Sequence, residues 1–234
     1  MIVLLSGCAP KKEAPAYFAV DPRTAATISG KITYKSLAPR QKLRIDEDPE
    51  CERMNPRGLL DETLIVNDGA LANVFVYVKK GLEGKQFSPA TEAVTIEQKG
   101  CRFSPHVLGI RVSQTLRVTN SDALTHNIHP QPHMNREWNQ SQAEGALALE
   151  RRFARPELMI PVKCNIHSWM RAYVSAVEHP YFAVTDSNGS FEIKGLPPGD
   201  YVIEALHEKL GARELPVRLA PSAHETADFV FPPL

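Results

Sequence analysis

The sequence predicts an all-β protein, because it combines frequent turn residues with short β-branched segments and one clear alternating strand. Nineteen prolines and thirteen glycines occur among the 234 residues, and such residues divide a chain into short elements and disfavour long helices. In "ALANVFVYVKKG" (70–81), three valines alternate with two aromatic residues, which is the period of a strand with two distinct faces. We therefore expect a sandwich or barrel of antiparallel strands.

The remaining strands are expected in segments that are rich in β-branched and aromatic residues and separated by turn residues. In chain order these are "ATISGKITYKS" (26–36), "TEAVTIEQKGCRF" (91–103), "HVLGIRVSQTLRVTNSD" (106–122), "ELMIPVKC" (157–164) and "MRAYVSAV" (170–177). Residues 130–155 are polar and break this pattern. They are predicted to form a long surface loop with a helical turn near residues 143–153.

A series of hairpins is predicted near the C-terminus, in residues 183–208. "DSNG" (186–189) and "PPGD" (197–200) contain the Gly and Asn residues that tight turns require. The segment resembles the carboxypeptidase regulatory-like, transthyretin-like β-sandwich module, in which an Asp-x-x-Gly-x-Phe turn precedes a Leu-Pro-Pro-Gly-x-Tyr turn. The resemblance implies a structural or interaction module and, by itself, no catalysis.

The segment "PVKCNIHSWMRAYV" (161–174) places Cys164, His167 and Met170 on one short loop between two predicted strands. So short a loop directs its side chains to one side, where they can surround a single ion. One thiolate with imidazoles and a distant methionine is typical of a blue-copper electron-transfer site, which also needs a second histidine. The alternatives are a buried thiol beside a structural histidine, or a catalytic Cys-His pair, which lacks an evident third residue to orient the imidazole.

The second histidine is available upstream in "SDALTHNIHPQPH" (121–133). A strand, an Asp-containing turn and His-Asn-Ile-His resemble the first ligand segment of the cupredoxins, and the short downstream loop is similar to that of amicyanin. The resemblance implies a cupredoxin-like Greek-key β-sandwich with one type 1 copper, and with Asn127 fastening the two ligand loops together. The ligands that it implies are His126, Cys164, His167 and Met170.

His129 competes with His126 for the position of the first ligand. In an extended segment, residues 126 and 129 point to opposite faces, so both are not expected to bind the same ion. The match to the cupredoxins favours His126 and makes His129 a strand-end histidine. Four further histidines have no partner at ligand spacing: His106, His179, His207 and His224.

The remaining cysteines are interpreted from the compartment that the N-terminus indicates. The apolar run ending in Leu-Ser-Gly-Cys8 resembles a bacterial lipobox, which implies lipidation of Cys8 and a periplasmic or cell-surface location. The run is shorter than a full signal peptide and lacks a basic region, and no other run reaches the ~18 apolar residues of a membrane span. In an oxidising compartment, Cys51 and Cys101 are predicted to form a disulfide; a second metal site is the weaker alternative.

These observations predict three regions: a lipoprotein signal and tether (1–25), a cupredoxin-like copper domain (26–178) and a carboxypeptidase regulatory-like domain (179–234). Lys+Arg and Asp+Glu both number 27, so no net charge favours nucleic acid. The expected function is one-electron transfer to a redox partner protein, without enzymatic activity and with membrane contact only through lipid. On the family's pattern, His167 lies nearest solvent and passes the electron. A copper carrier or sensor serving a copper acceptor, and a structural or adhesion protein, are the alternatives.

Overall fold

The computed structural model describes residues 16–233, and within that range it is almost entirely β-structure. The first ten strands are β1 (Ala26–Tyr34), β2 (Val66–Asn67), β3 (Ala70–Leu71), β4 (Phe75–Lys80), β5 (Val94–Gln98), β6 (Phe103–Ser104), β7 (Val107–Arg111), β8 (Leu116–Asn120), β9 (His126–Pro130) and β10 (Gln140–Gln142). The others are β11 (Leu149–Arg151), β12 (Glu157–Lys163), β13 (Arg171–Val177), β14 (Phe182–Val184), β15 (Ser190–Leu196), β16 (Gly199–His207), β17 (Gly211–Leu219), β18 (His224–Thr226) and β19 (Phe229–Phe231). One helix, α1 (Pro49–Met54), completes the described part of the chain. The predicted all-β class is confirmed.

Two of the four sheets enclose one hydrophobic core, and we call this part of the molecule the site half. One sheet has the order β10-β9-β12-β13-β7 and the other β11-β8-β5-β6. Ile96 and Val118 of the second sheet share a buried cluster with Ile128, Val162 and Val174 of the first. Helix α1 contributes to the same cluster from the long connection between β1 and β2.

The other two sheets form what we call the scaffold half. Their orders are β15-β1-β3-β2, with β18 and β19 also paired to β1, and β14-β4-β16-β17. Strands β1 and β4 therefore pair with strands that lie more than 100 residues later in the chain. The predicted division at residue 178 had grouped these early strands with the copper domain. The difference arises because β4 is hydrogen-bonded along both edges to strands that follow residue 178, β14 on one side and β16 on the other.

The alternation in β4 separates two apolar environments. Val76 and Val78 face the core of the scaffold half, whereas Phe75 and Tyr77 join a smaller buried cluster that includes residues of β7 and β13 in the site half. Gly109 of β7 is needed at this contact, because a Cβ atom there would lie 2.5 Å from the Phe182 ring. The two halves are thus packed together through the aromatic face of β4.

Two local predictions near the loops need correction. Residues 130–155 contain the short strands β10 and β11 and, within the described chain, no helical turn near residues 143–153. The turn at 186–189 is present, with Gly189 at φ +69°. However, β15 pairs with β1 while β16 pairs with β4 and β17, so residues 197–198 connect two sheets and do not close a hairpin.

The position of Cys8 lies outside the described residues. Within residues 16–233, no helix combines the length and the apolar character that crossing a bilayer requires.

Candidate metal centre

The hairpin of β12 and β13 presents three of the four predicted ligands, Cys164, His167 and Met170, on a seven-residue loop. Lys163 pairs with Arg171 at the end of the ladder, which leaves residues 164–170 to make the turn. The Cys164 amide donates to the Met170 carbonyl at 3.1 Å, and the Met170 amide donates to the His167 carbonyl at 3.0 Å. These bonds close the loop and hold Cys164 and His167 on the buried side, where they are 3% and 1% exposed.

The fourth predicted ligand is His126, which begins β9. Strand β9 pairs with β12 so that His129 lies opposite Lys163, and this register brings the start of β9 level with the loop. His126 is fully buried. Its Nδ1 lies 3.0 Å from Nδ1 of His167, and the latter atom lies 3.8 Å from Sγ of Cys164. Donor atoms of all three residues lie within 4.8 Å of one another.

A carboxylate holds the outer nitrogen of each imidazole. Nε2 of His126 lies 2.8 Å from Asp122 Oδ2, and Nε2 of His167 lies 3.0 Å from Asp48 Oδ2. Because a carboxylate only accepts hydrogen bonds, each Nε2 carries a proton and each inward Nδ1 is the nitrogen with the free lone pair in the neutral ring. Two lone pairs 3.0 Å apart repel each other unless a proton or a metal ion lies between them. Histidines that ligate metals show the same outer carboxylate contact.

The surroundings of Cys164 favour its thiolate form. Burial raises its pKa, but hydrogen bonds from His126 and His167 and from the backbone amides of Asn127 and His167 outweigh burial, so that the pKa falls to about 5. Those amides lie 3.5 Å and 3.4 Å from Sγ. The thiolate is the form of cysteine that binds metals.

The pKa of each histidine is raised by the Cys164 thiolate and by its own carboxylate partner. Burial lowers the pKa of His126, but the hydrogen bond to Asp122 and the contact with Cys164 outweigh it and raise the pKa to about 8. Burial also lowers the pKa of His167, but hydrogen bonds with Cys164 and Asp48 outweigh burial, so that this pKa is raised as well. The cluster therefore attracts positive charge, whether as protons or as a metal ion.

The other predicted site residues surround this cluster. The Asn127 side chain accepts from the backbone amide of Asn165 and donates to Asn139, so it joins β9 to the ligand loop. Met170 is 1% exposed and belongs to the same core cluster as Cys164. His129 lies apart from the three donors and instead contacts Asn165 and Glu137.

The sequence resemblance implied that His167 lies near solvent, but the structure buries this residue. Asp48 covers its Nε2 edge, and the ring of Trp169 lies 5.1 Å away between centroids. Trp169 in turn donates from Nε1 to the Cys101 carbonyl at 3.1 Å, which makes it part of the wall of the site. Asp48 was not predicted, since it lies 119 residues before His167 and in no motif.

Cys51 and Cys101 are joined by a disulfide in the structure. Both are fully buried, and each lies beside one of the two carboxylates. The Cys101 amide donates to Asp122 at 2.8 Å, and the Cys51 amide donates to Asp48 at 3.1 Å. The disulfide thus lies directly behind the metal-binding candidates.

No protein family and no curated protein sequence matches the chain. Among solved structures, the copper-containing nitrite reductase of Thermus scotoductus is similar over 43% of this chain, at 20% identity and a TM-score of 0.35. The chain spans about a quarter of the length of that enzyme, since the alignment covers 25% of it. The Cu(I) form of an amicyanin mutant aligns with 38% of this chain and 86% of its own, at 18% identity and a TM-score of 0.32. A purple cupredoxin of Nitrosopumilus maritimus aligns with 35% of this chain and 97% of its own, at 22% identity and a TM-score of 0.30. Overlaps this small carry no conclusion about function.

Proposed function

We propose that this protein is an exported electron carrier that holds one type 1 copper ion on His126, Cys164 and His167. The observation that supports this most is the pair of inward Nδ1 atoms, 3.0 Å apart and beside a buried thiol. Outer carboxylates occupy both Nε2 atoms, so the two Nδ1 atoms face each other and need a proton or a metal ion between them. A bound cation can take the place of that proton.

Copper suits this donor set better than zinc does. One thiolate, two imidazoles and a weak methionine contact are the ligands of blue-copper sites, and Met170 is buried in the cluster that contains Cys164. Structural zinc sites take four strong ligands, whereas the described residues bring only three strong inner donors together here. When bound, copper would supply a reversible one-electron change between Cu(II) and Cu(I).

The chain's own contribution is to hold the donors still. Cys164 follows β12 directly, and Asn127 ties β9 to the ligand loop. Two backbone amides point at the thiolate. Donors fixed in this way need little movement when the charge of the ion changes.

A redox partner, export and the identity of the second module complete the proposal. Ile166 is 52% exposed and lies in the ligand loop next to His167, where it offers an apolar contact to a partner protein. The lipobox-like sequence supports lipid anchoring through Cys8 in a bacterial periplasm or at the cell surface. The turn motifs support a carboxypeptidase regulatory-like module in the scaffold half, whose sheets combine the strands after residue 178 with β1–β4. We propose no enzymatic activity.

The experiment uses the soluble protein that starts after Cys8. It is stripped of metal and given one equivalent of Cu(II), and the visible spectrum is recorded beside that of Cys164→Ser. An intense thiolate-to-copper band that is missing from the variant supports the proposal. A colourless protein with a free Cys164 thiol contradicts it and favours a structural or adhesion role.

A copper carrier or sensor is the second candidate, and the burial of both imidazoles favours it. An electron carrier usually benefits from a ligand edge near its partner, whereas His126 and His167 are 0% and 1% exposed. The rate of electron exchange between oxidised and reduced protein distinguishes the two roles. Slow exchange combined with ready delivery of copper to an acceptor protein would favour the carrier.

A further inference from the structure

A single loop outside the sheets covers the proposed copper ligand His167. We define the cover segment as residues 42–60. Its ends are held together by a bridge between Lys42 and Leu60 and by a 2.8 Å hydrogen bond from the Leu43 amide to the Leu59 carbonyl. It is therefore a closed loop with a fixed base.

The cover segment is attached to the site by packing and by a covalent bond. Ile45, Cys51 and Leu59 are buried in the core of the site half. Cys51 forms the disulfide with Cys101, which precedes β6. The loop cannot move away from the site as a unit while this bond is intact.

Asp48 connects the cover segment to the metal-binding cluster. Its Oδ1 accepts from the amides of Glu50 and Cys51 at the start of α1, and its Oδ2 faces Nε2 of His167. Both oxygens therefore have a partner, and the helix fixes the direction in which the second oxygen points. The imidazole of His167 cannot rotate without losing this contact.

The same arrangement occurs a second time across the disulfide. Asp48, Cys51 and His167 place donor atoms within 4.8 Å of one another, and so do Cys101, Asp122 and His126. Each half-cystine donates its amide to the carboxylate that holds one imidazole. One disulfide thus holds both carboxylates in place.

We propose that the cover segment is a disulfide-held cap in which Asp48 is a positioning residue that orients His167, shields it from solvent and favours Cu(II) over Cu(I). This inference rests on the proposed copper function. The negative carboxylate raises the basicity of the imidazole through its Nε2 proton, and greater basicity favours the more highly charged ion. The cover also slows the release of copper on the His167 side.

Two variants separate these effects without removing the helix cap. Asp48→Asn keeps the shape and the cap, since Asn is as good an N-cap as Asp, but removes the charge and places an NH2 group, which cannot accept, against the Nε2 proton of His167. Asp48→Ser also keeps the cap, and its side chain is too short to reach His167. The matched controls are Asp46→Asn and Asp46→Ser, because the Asp46 side chain lies two residues earlier and is 64% exposed.

The first measurement is made on the copper-loaded protein. Asp48→Asn is expected to lower the Cu(II) affinity by about 10- to 100-fold, the usual effect of losing the outer partner of a metal-bound histidine. Each tenfold loss that Cu(I) does not share raises the reduction potential by about 59 mV. The Asp46 variant is expected to change neither quantity. An unchanged potential in Asp48→Asn, with its copper band intact, would overturn the proposed electronic role.

The second measurement needs no metal. Diethyl pyrocarbonate acylates exposed imidazoles, and the rate at His167 can be followed by peptide mass mapping of metal-free protein. We expect at least a tenfold increase in Asp48→Ser and no change in Asp46→Ser. Equal rates in wild type and Asp48→Ser would refute the cover. If the wild type binds no copper, the proposed function fails, while this comparison still decides whether Asp48 covers His167.

Discussion

Two pairs of histidines, one in each half of the protein, are held in different ways. In the site half, the outer nitrogens of His126 and His167 contact carboxylates. In the scaffold half, His179 donates from Nε2 to the Val78 carbonyl at 2.9 Å, and His207 accepts from two backbone amides at Nδ1. Burial lowers the pKa of both scaffold histidines to about 4, whereas the pKa of His126 is raised to about 8.

The difference shows that burial alone does not identify a ligand. His126, His167 and His207 are buried and His179 is half-buried, but of these four only the site pair combines a negative outer partner with a free inner face. Backbone partners hold the scaffold rings neutral and leave no converging donor set. A carboxylate behind the ring and a thiol in front of it are the features that indicate metal binding.

The disulfide is expected to give the largest effect, because it supports the site pair and not the scaffold pair. Its cysteines are 50 residues apart, and the chain-entropy model assigns a loop of this size about 4 kcal/mol of stability. Replacing Cys51 and Cys101 by Ala should lower the free energy of unfolding of metal-free protein by up to that amount. Denaturant titration measures the loss. The double replacement should also speed the acylation of His167 by diethyl pyrocarbonate but not that of His179. Equal acceleration at both histidines would contradict the idea that the disulfide supports only the site pair.

Replacing one histidine from each pair tests the roles of the two pairs directly. His126→Ala should lower the copper affinity by more than about 100-fold, because losing a ligand costs more than losing its outer partner. His179→Gln should leave the copper affinity unchanged. In the wild type, Nδ1 of His179 accepts from the Tyr181 backbone amide at 3.2 Å. His179→Gln should destabilise the fold by about 1 kcal/mol, since the Gln side chain can still donate to the Val78 carbonyl but loses this second hydrogen bond. Copper titration and denaturant unfolding measure the two effects. Loss of copper binding in His179→Gln, with its fold intact, would remove the distinction.

The scaffold pair should make stability depend on pH in acid. Since burial keeps His207 neutral in the folded state down to a pKa of about 4, the unfolded chain takes up the proton first as pH falls. The contribution of His207 to stability is therefore fully present above the ordinary pKa of 6.5 and is lost between pH 6.5 and 4, by about 3 kcal/mol.

His207→Asn isolates this contribution, because its amide oxygen can replace Nδ1 as the acceptor but does not titrate. The difference in unfolding free energy between wild type and variant should be largest near pH 7 and should change by that amount toward pH 4. A difference that stays constant across this range would mean that His207 is not held neutral.

Local patterns allowed much of the site to be predicted. The spacing of Cys164, His167 and Met170 lies within one hairpin loop, so it depends on seven consecutive residues and on no distant contact. The strands were likewise recognisable from composition and period. The pairing of the strands could not be predicted, because β4 pairs with strands more than 100 residues away and no local sequence pattern identifies such a partner.

The carboxylates that contact the two histidine ligands could not be predicted from the sequence, again because local patterns do not show which distant residues come together. Asp122 lies four residues before His126 and was visible only as part of a turn. Asp48 reaches His167 across 119 residues, from a segment whose composition resembles any polar loop. The burial of Ile45, Cys51 and Leu59 in the core of the site half places that loop against the site.

The smallest expected effect concerns His129, the alternative that the sequence left open. Its ring contacts Asn165 and Glu137, and its side chain is 13% exposed. His129→Gln should therefore change the copper affinity by no more than about twofold, as for a typical substitution outside the buried site, and should retain the thiolate-to-copper band. The opposite result, with the band lost in His129→Gln and retained in His126→Ala, would place the other face of β9 toward Cys164. Because side chains alternate along a strand, that outcome would require a one-residue change in the pairing of β9 with β12.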